Sequence, residues 1–500
     1  MEVSAFILYF AIVLAIGVFF YVKGRKANNE EEYFLGGRSM GPWVTALSAQ
    51  TSDMSAWLLM GLPGSILAFG LGKAWIGIGL ALGTAANWIF VAKRLRRFSA
   101  AANDSITLPQ YLSNRFVTGG KALQIISAII FLVCFTVYVA SSFVAGTSVF
   151  TAVFPNLDAG KALIIFAAII VLYTFLGGFK AVCWTDFFQG TLMLIALLAV
   201  PIVLILTKSI DFSNLDTVYQ YTENSSTVEC VFGKDLFGSD WRDIISGLAW
   251  GLGYFGMPHI LVRFMSIKNS KMVKKSATVA IIWVAIALFA AIIIAVLGRA
   301  FIGEQLLTKG AQKMVFIELA RILFPGFIAG LLLAAIIAAS MSTADSQLLV
   351  ASSSFTSDIY KPIFRKKASD TEVVWIGRVT IVIVAVVAYF IASAKGSGAQ
   401  AIMDMVENAW GGFGASFGPV VILSLFWKRL TYKGAVAGIA TGAIVDVCWL
   451  IWLGSTGIYE LFPGFVAGLI ACVIVSLIDK KPSEEIMALF DRATDKAIDD

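Results

Sequence analysis

The sequence predicts an all-α membrane protein of about thirteen spanning helices, and three observations predict it. Apolar residues make up 59% of the 500 and charged residues only 14%, where a soluble domain carries about 25% charged residues. Stretches of ~20 mostly apolar residues, the length that crosses hydrocarbon, recur along the whole chain. Lys and Arg gather in short clusters at the ends of those stretches, as topology signals do. The net charge of +6 therefore reads as membrane topology and not as a nucleic-acid surface. Cys134, Cys183, Cys230, Cys448 and Cys472 show no paired metal spacing; they read as small core residues, not as a zinc site or a disulfide framework.

The first expected span, 5–22, follows Met1-Glu2-Val3 without a basic leader, and the first basic residues, Lys23, Arg25 and Lys26, come after the apolar run. That order predicts a retained helix with its N-terminus outside. Spans two and three, 41–69 and 74–92, end at Lys93-Arg94-Leu95-Arg96-Arg97. Spans four, five and six cover 122–150, 160–179 and 184–207, and the polar stretch 208–240 predicts an outer loop. Spans seven and eight, 241–265 and 275–298, are separated by a link holding Lys271 and Lys274. Span nine, 312–350, leads to Arg365-Lys366-Lys367. Spans ten and eleven, 372–394 and 400–427, lead to Lys428-Arg429, and spans twelve and thirteen cover 433–453 and 458–478. Alternating from outside, this assignment leaves ten of the 38 Lys and Arg residues on the outer side and 28 on the cytoplasmic side. It predicts a cytoplasmic C-terminus in an inner-membrane protein. Neither the outer loop nor the tail after Lys480 is long enough for a folded catalytic or sensory domain.

Two spans differ from the rest. The second carries Ser48-Ala49-Gln50-Thr51-Ser52-Asp53-Met54-Ser55-Ala56-Trp57, a polar cluster inside an apolar stretch. The seventh carries Trp250-Gly251-Leu252-Gly253-Tyr254-Phe255-Gly256-Met257-Pro258, rich in glycine and ending in proline. Such residues break helices, and in lipid a freed carbonyl must find another partner, so broken helices survive where they line a cavity or bind something. The two segments lie five spans apart, the spacing of two five-helix repeats inverted in the membrane. The expected organisation is a first helix and cytoplasmic loop over 1–40, one repeat over 41–207 and the outer loop over 208–240. A second repeat over 241–427 and two further helices with a cytoplasmic tail over 428–500 complete it.

The chemistry-bearing residues sit in or beside those breaks. A carboxylate such as Asp53 in a span costs roughly 2.5–3.5 kcal/mol on insertion scales, so it usually faces a polar interior. It either caps a half-helix or pairs with a distant Arg, or it shapes or charges a sodium site. Sodium takes oxygen ligands, commonly carbonyls freed by unwinding together with hydroxyls. Span nine supplies hydroxyls in Ala339-Ser340-Met341-Ser342-Thr343-Ala344-Asp345-Ser346-Gln347, although Ser and Thr in spans also bond back to the preceding turn. Asp186 stands near the start of span six, as an N-cap or as a functional carboxylate. Asp446 lies outside the two repeats, and Asp404 and Glu407 are expected near the outer surface. The single histidine, His259, adjoins Pro258 and reads as structural. Trp57, Tyr138, Trp250 and Tyr254 either belong to interfacial belts or wall a pocket for a compact apolar ring.

These passages resemble the sodium/solute symporter family, and within it the bacterial sodium/proline symporters. The matching pieces are Phe34-Leu35-Gly36-Gly37-Arg38-Ser39, Thr45-Ala46-Leu47-Ser48, Ser52-Asp53-Met54-Ser55 and Trp57 to Gly64. Trp184-Thr185-Asp186, Trp250 to Gly256, Pro258-His259-Ile260-Leu261 and Met341-Ser342-Thr343 complete the match. The resemblance implies a LeuT-like five-plus-five core and one sodium between spans two and nine. Its implied ligands are the carbonyls of Thr51, Met54 and Ala339 and the hydroxyls of Ser342 and Thr343, with Asp53 and Ser55 in ion binding or coupling. Implied solute contacts are Trp57, Tyr138, Trp250, Tyr254 and Pro258. Relatives that use a second cation build its site from positions matching Asp186, Ser342, Asp345 and Ser346.

The function so implied is sodium-coupled symport of L-proline by alternating access, since the Trp250–Tyr254 pair beside Pro258 suits a small ring. The partners are proline, sodium and the lipid bilayer, with no nucleic acid and no obligatory protein. A sugar, monocarboxylate or pantothenate symporter is the rival within the class. A channel would need a repeated pore loop and a sensor a cytoplasmic signalling domain. An intramembrane hydrolase would need a catalytic pair at depth, which a lone histidine argues against.

Overall fold

A computed structural model of the chain describes residues 1–24, 29–117, 121–223, 226–395 and 399–495. Arg25 and Lys26, two of the expected topology signals, lie outside the described residues. The described chain is overwhelmingly helical, because in hydrocarbon a helix satisfies its own backbone donors and acceptors. Large apolar side chains that remain exposed, such as Ile383, Phe390, Ile451 and Trp452, stand on outward faces of the bundle. In a spanning protein those faces meet lipid.

Ten helices among the described residues are each long and apolar enough to cross a membrane, and one bent pair adds another. Two of the expected spans are fused. The helix Ala159–Thr207 runs for 49 residues, or about 74 Å at 1.5 Å per residue, over twice the ~30 Å hydrocarbon layer. It is interrupted at Gly178, with φ 62° and ψ −173°, a conformation open almost only to glycine. The Tyr33 ring packs 2.9 Å from where a Cβ on Gly178 would stand. The element is two crossings turned at one residue, with no intervening loop at 180–183 as the spacing had suggested.

The second span is broken in its middle: Pro42–Asp53 is helical, Ala56–Leu58 makes one tight turn, and Gly61–Phe69 is helical again. The seventh follows the same plan, with Trp241–Ala249, a tight-turn stretch Trp250–Phe255, and Pro258–Ser266. Its two halves meet at a bend of 43°. Counting each broken span and both halves of the fused helix as crossings accounts for thirteen.

Span nine departs from its expected start at 312. Residues Val315–Leu323 form a separate short helix, and the crossing begins after Pro325 as Gly326–Phe355. Proline cannot donate a backbone N–H and biases the residue before it away from helix, and Phe324 is accordingly extended. This crossing is the hub of the bundle, with 83% of its most apolar window buried. It packs against the first, fourth and tenth crossings and the long fused helix.

The stretch expected as an irregular outer loop contains a β-hairpin, Tyr219–Glu223 paired antiparallel with Ser226–Cys230. The Tyr221 hydroxyl accepts from Gln312 Nε2 at 3.1 Å, and the N-terminal Glu2 pairs with Arg321 at 3.0 Å. The N-terminus and the hairpin thus share one end of the molecule. At the other end the tail helix Glu484–Thr494 is held by Lys428–Asp491 (2.6 Å) and by Arg492 Nη2 donating to Ala101 O (2.8 Å).

Candidate ion and solute site

The break in span two frees two carbonyls. In an unbroken helix Thr51 O would accept from the N–H of Ser55, and Met54 O from that of Leu58. Instead Ser55 N bonds Asp53 O (2.9 Å) and Leu58 N bonds Ser55 O (3.0 Å). Thr51 O takes hydroxyl donors from span nine in their place: Ser342 Oγ at 2.9 Å and Thr343 Oγ1 at 3.5 Å. Ser342 Oγ also lies 3.2 Å from Ala339 O. Thr51, Met54, Ala339, Ser342 and Thr343 are all fully buried.

This oxygen set suits a sodium ion. Carbonyl and hydroxyl oxygens are hard ligands, they come from two crossings, and two of the carbonyls have lost their helical donors. Ser342 and Thr343 now spend their protons on Thr51 O; rotating those protons away would turn the hydroxyls into acceptors toward a cation.

Asp53 closes the helical half of span two and is fully buried. Its Oδ2 accepts the hydroxyl proton of Tyr254, while Oδ1 has no hydrogen-bond partner. Its main-chain oxygen accepts from Trp57 Nε1 at 3.3 Å. Ser55 Oγ accepts the N–H of Trp57 at 3.4 Å, starting the tight turn. Asp53 therefore joins the two broken spans directly and is not paired with an Arg.

The expected solute contacts gather around that junction. Trp57, Tyr138, Trp250 and Tyr254 are each at most 3% exposed, and Pro258 is buried at the head of its half-helix. The Tyr138 hydroxyl has no hydrogen-bond partner, and its ring meets that of His259 edge-on at 6.4 Å. Two further residues complete the wall. Trp410 of span eleven sits edge-on to Tyr254 (5.2 Å) and donates its Nε1–H to Trp250 O at 2.8 Å. Asn87 of span three donates to Tyr254 O at 3.0 Å, holding the tight-turn backbone. The sequence signals were an Asn and a Trp-Gly-Gly inside apolar spans, each indistinguishable from ordinary packing without its partner.

Asp186 is not an N-cap. It lies within the helix, well past the Gly178 break, and forms a fully buried ion pair with Arg263 (3.3 Å). Ser48 Oγ donates to the same carboxylate at 2.6 Å, and Arg263 Nε donates to Ser48 Oγ at 3.1 Å. Arg263 also donates to Ser346 Oγ and, at 2.6 Å, to His259 O. Two of the four positions implied for a second cation, Asp186 and Ser346, thus meet around a guanidinium. Asp345 is fully buried and neither of its carboxylate oxygens is hydrogen-bonded.

Residues 33–442 match the family described as Sodium:solute symporter family. The chain is 45% identical over 487 residues to sodium/proline symporter 2 of Staphylococcus saprophyticus, covering 95% of this chain and 92% of that one. It is 44% identical over 479 residues to the high-affinity proline transporter PutP of Bacillus subtilis, covering 96% and 98%. Among solved structures it resembles a sodium-coupled sialic acid symporter in a substrate-bound outward-open state, with TM-score 0.75, 19% identity and coverage of 96% and 98%. It also resembles the nucleobase-cation-symport-1 family transporter Mhp1 in a closed conformation, with TM-score 0.54, 15% identity and coverage of 92% and 98%. These structural likenesses bear on the fold.

Proposed function

The chain belongs to the sodium:solute symporter family, and from that premise we propose that it is a multi-pass symporter importing L-proline with sodium. It is a transporter, not an enzyme. The observation that carries the ion site is the freed Thr51 carbonyl facing the hydroxyls of Ser342 and Thr343. Sodium entering there would be held by the carbonyls of Thr51, Met54 and Ala339 and by those two hydroxyls, tying broken span two to span nine. Asp53 serves coupling: its carboxylate touches Tyr254 of the solute wall, while its helix carries Thr51. Sodium raises solute affinity by the factor by which solute raises sodium affinity. Trp57, Tyr138, Trp250, Tyr254 and Pro258 surround the solute, and this buried, largely aromatic wall suits the small apolar ring of proline.

The repeats over 41–207 and 241–427 rock against one another around this site. The N-terminus faces outward and the tail helix faces the cytoplasm of a bacterial cell, a reading that the basic asymmetry of the sequence supports. Arg263 already lies between Asp186 and Ser346, which supports one sodium per proline. The test is uptake of labelled proline into proteoliposomes with and without an inward sodium gradient, competed by sugars, monocarboxylates and pantothenate. Gradient-independent uptake contradicts coupling, and failure of unlabelled proline to compete contradicts the solute.

A further inference from the structure

Where the second repeat meets the two further helices, the last three crossings enclose a pair of carboxylates that the transport site does not use. Asp446 lies in Tyr432–Cys448 and Glu460 at the turn before Leu461–Ile478. They are only 3% and 6% exposed. Asp446 Oδ1 and Glu460 Oε1 have no hydrogen-bond partner, and neither carboxylate is in an ion pair among the described residues. Both oxygens look onto one small volume beside span eleven. A Cβ on Gly411 would stand 2.9 Å from Asp446 Oδ1 and 3.5 Å from Glu460 Oε1. One on Gly412 would stand 4.0 Å from Asp446 Oδ2 and 3.0 Å from Cys134 Sγ. Gly411 keeps that volume clear. Glu407 lies one helical turn before Gly411 in span eleven, and Lys73 on the same side is paired with Asp243 at 3.2 Å.

A buried carboxylate without a partner must either bind a counter-charge or take up a proton. Calcium would want six to eight oxygens, more than two side chains in a methyl-sized cradle provide. We propose that Asp446 and Glu460 form a peripheral sodium site, reached from the hairpin end of the molecule. That end is identified by Ser246, at the head of span seven, whose Oγ accepts from Tyr459 N (3.0 Å) and donates to Gly457 O (3.2 Å). The site adjoins the solute wall: Tyr459, next to Glu460, stacks on Trp250 at 5.2 Å and donates its hydroxyl proton to Glu407 O at 2.8 Å. An ion here steadies Tyr459 against Trp250, a consequence that rests on the solute site proposed above.

The test is equilibrium binding of radioactive sodium to the purified full-length chain. The wild type should bind one more sodium per chain than Asp446→Asn/Glu460→Gln, and Gly411→Ala, which fills the cradle, should show the same loss. Ser342→Ala/Thr343→Ala should keep one sodium, and adding Asp446→Asn/Glu460→Gln to it should abolish binding. Equal stoichiometry in the wild type and Asp446→Asn/Glu460→Gln, as expected if the carboxylates share a proton, overturns the site. So does a wild type that binds a single sodium, whatever the variants do. Binding of two ions by Ser342→Ala/Thr343→Ala would instead count against the core site.

Discussion

Tyr254 donates its hydroxyl proton to Oδ2 of Asp53, so one hydrogen bond links the interruption of span seven to that of span two. The Asp53 helix also presents the Thr51 carbonyl to Ser342. The proposed ion and solute sides are therefore one or two residues apart along the broken backbone of span two.

Tyr254→Phe leaves a buried carboxylate oxygen without its donor, a loss worth ~1–3 kcal/mol. The proline concentration for half-maximal uptake is expected to rise about tenfold or more, each tenfold being ~1.4 kcal/mol. Asp53→Ala should raise the sodium requirement by a similar factor. The double variant should cost less than the sum, because both changes remove the same contact. Strict additivity in uptake assays would show the bond to be incidental.

The Arg263–Asp186 pair yields a stability test. Removing one partner of a buried pair strands the other charge, at a cost of ~3–5 kcal/mol, whereas replacing both with apolar residues of similar size is often neutral. Asp186→Leu and Arg263→Met should each lower the thermal midpoint of the purified protein by several degrees, and Asp186→Leu/Arg263→Met should recover most of it. A double variant less stable than both singles contradicts the pairing.

Much of this site could be read from residue order, because breaks in spans announce themselves locally. Ser48 to Trp57 and Trp250 to Pro258 violate the apolar pattern by composition alone, and the Ser340–Gln347 run follows a wholly apolar stretch. What stayed hidden is tertiary pairing. Arg263 lies near the end of the expected span 241–265, where a basic residue is ordinarily a topology charge. Its partner lies 77 positions away, and no local rule says whether an end-of-span Arg snorkels or turns inward. Trp410 likewise became part of the wall only by reaching Trp250, 160 positions away. The spans at 160–179 and 184–207 were found, but their link was not, since a turn at one glycine leaves no polar loop to mark it.

That turn has its own consequence. Gly178→Ala forces an L-residue into a conformation costing ~1–3 kcal/mol and drives a methyl toward the Tyr33 ring. The purified variant is expected to lose several degrees in thermal midpoint, and Tyr33→Ala in the same chain should relieve only the steric part. A Gly178→Ala protein as stable as the wild type would mean that the backbone there is not held as described.

Replacing external sodium with choline should reduce accumulation of labelled proline to equilibration across the vesicle membrane. Restoring sodium should restore accumulation in proportion to the imposed gradient. Accumulation driven equally well by choline with a proton gradient would identify a different coupling ion.

The most direct measurement is the sodium dependence of proline uptake by proteoliposomes bearing Ser342→Ala/Thr343→Ala, compared with the wild type at matched protein density. Loss of both hydroxyls opposite the Thr51 carbonyl is expected to raise the half-saturating sodium concentration at least tenfold while leaving sodium-free proline binding nearly unchanged. An unaltered sodium dependence in a well-folded variant would contradict an ion held between spans two and nine.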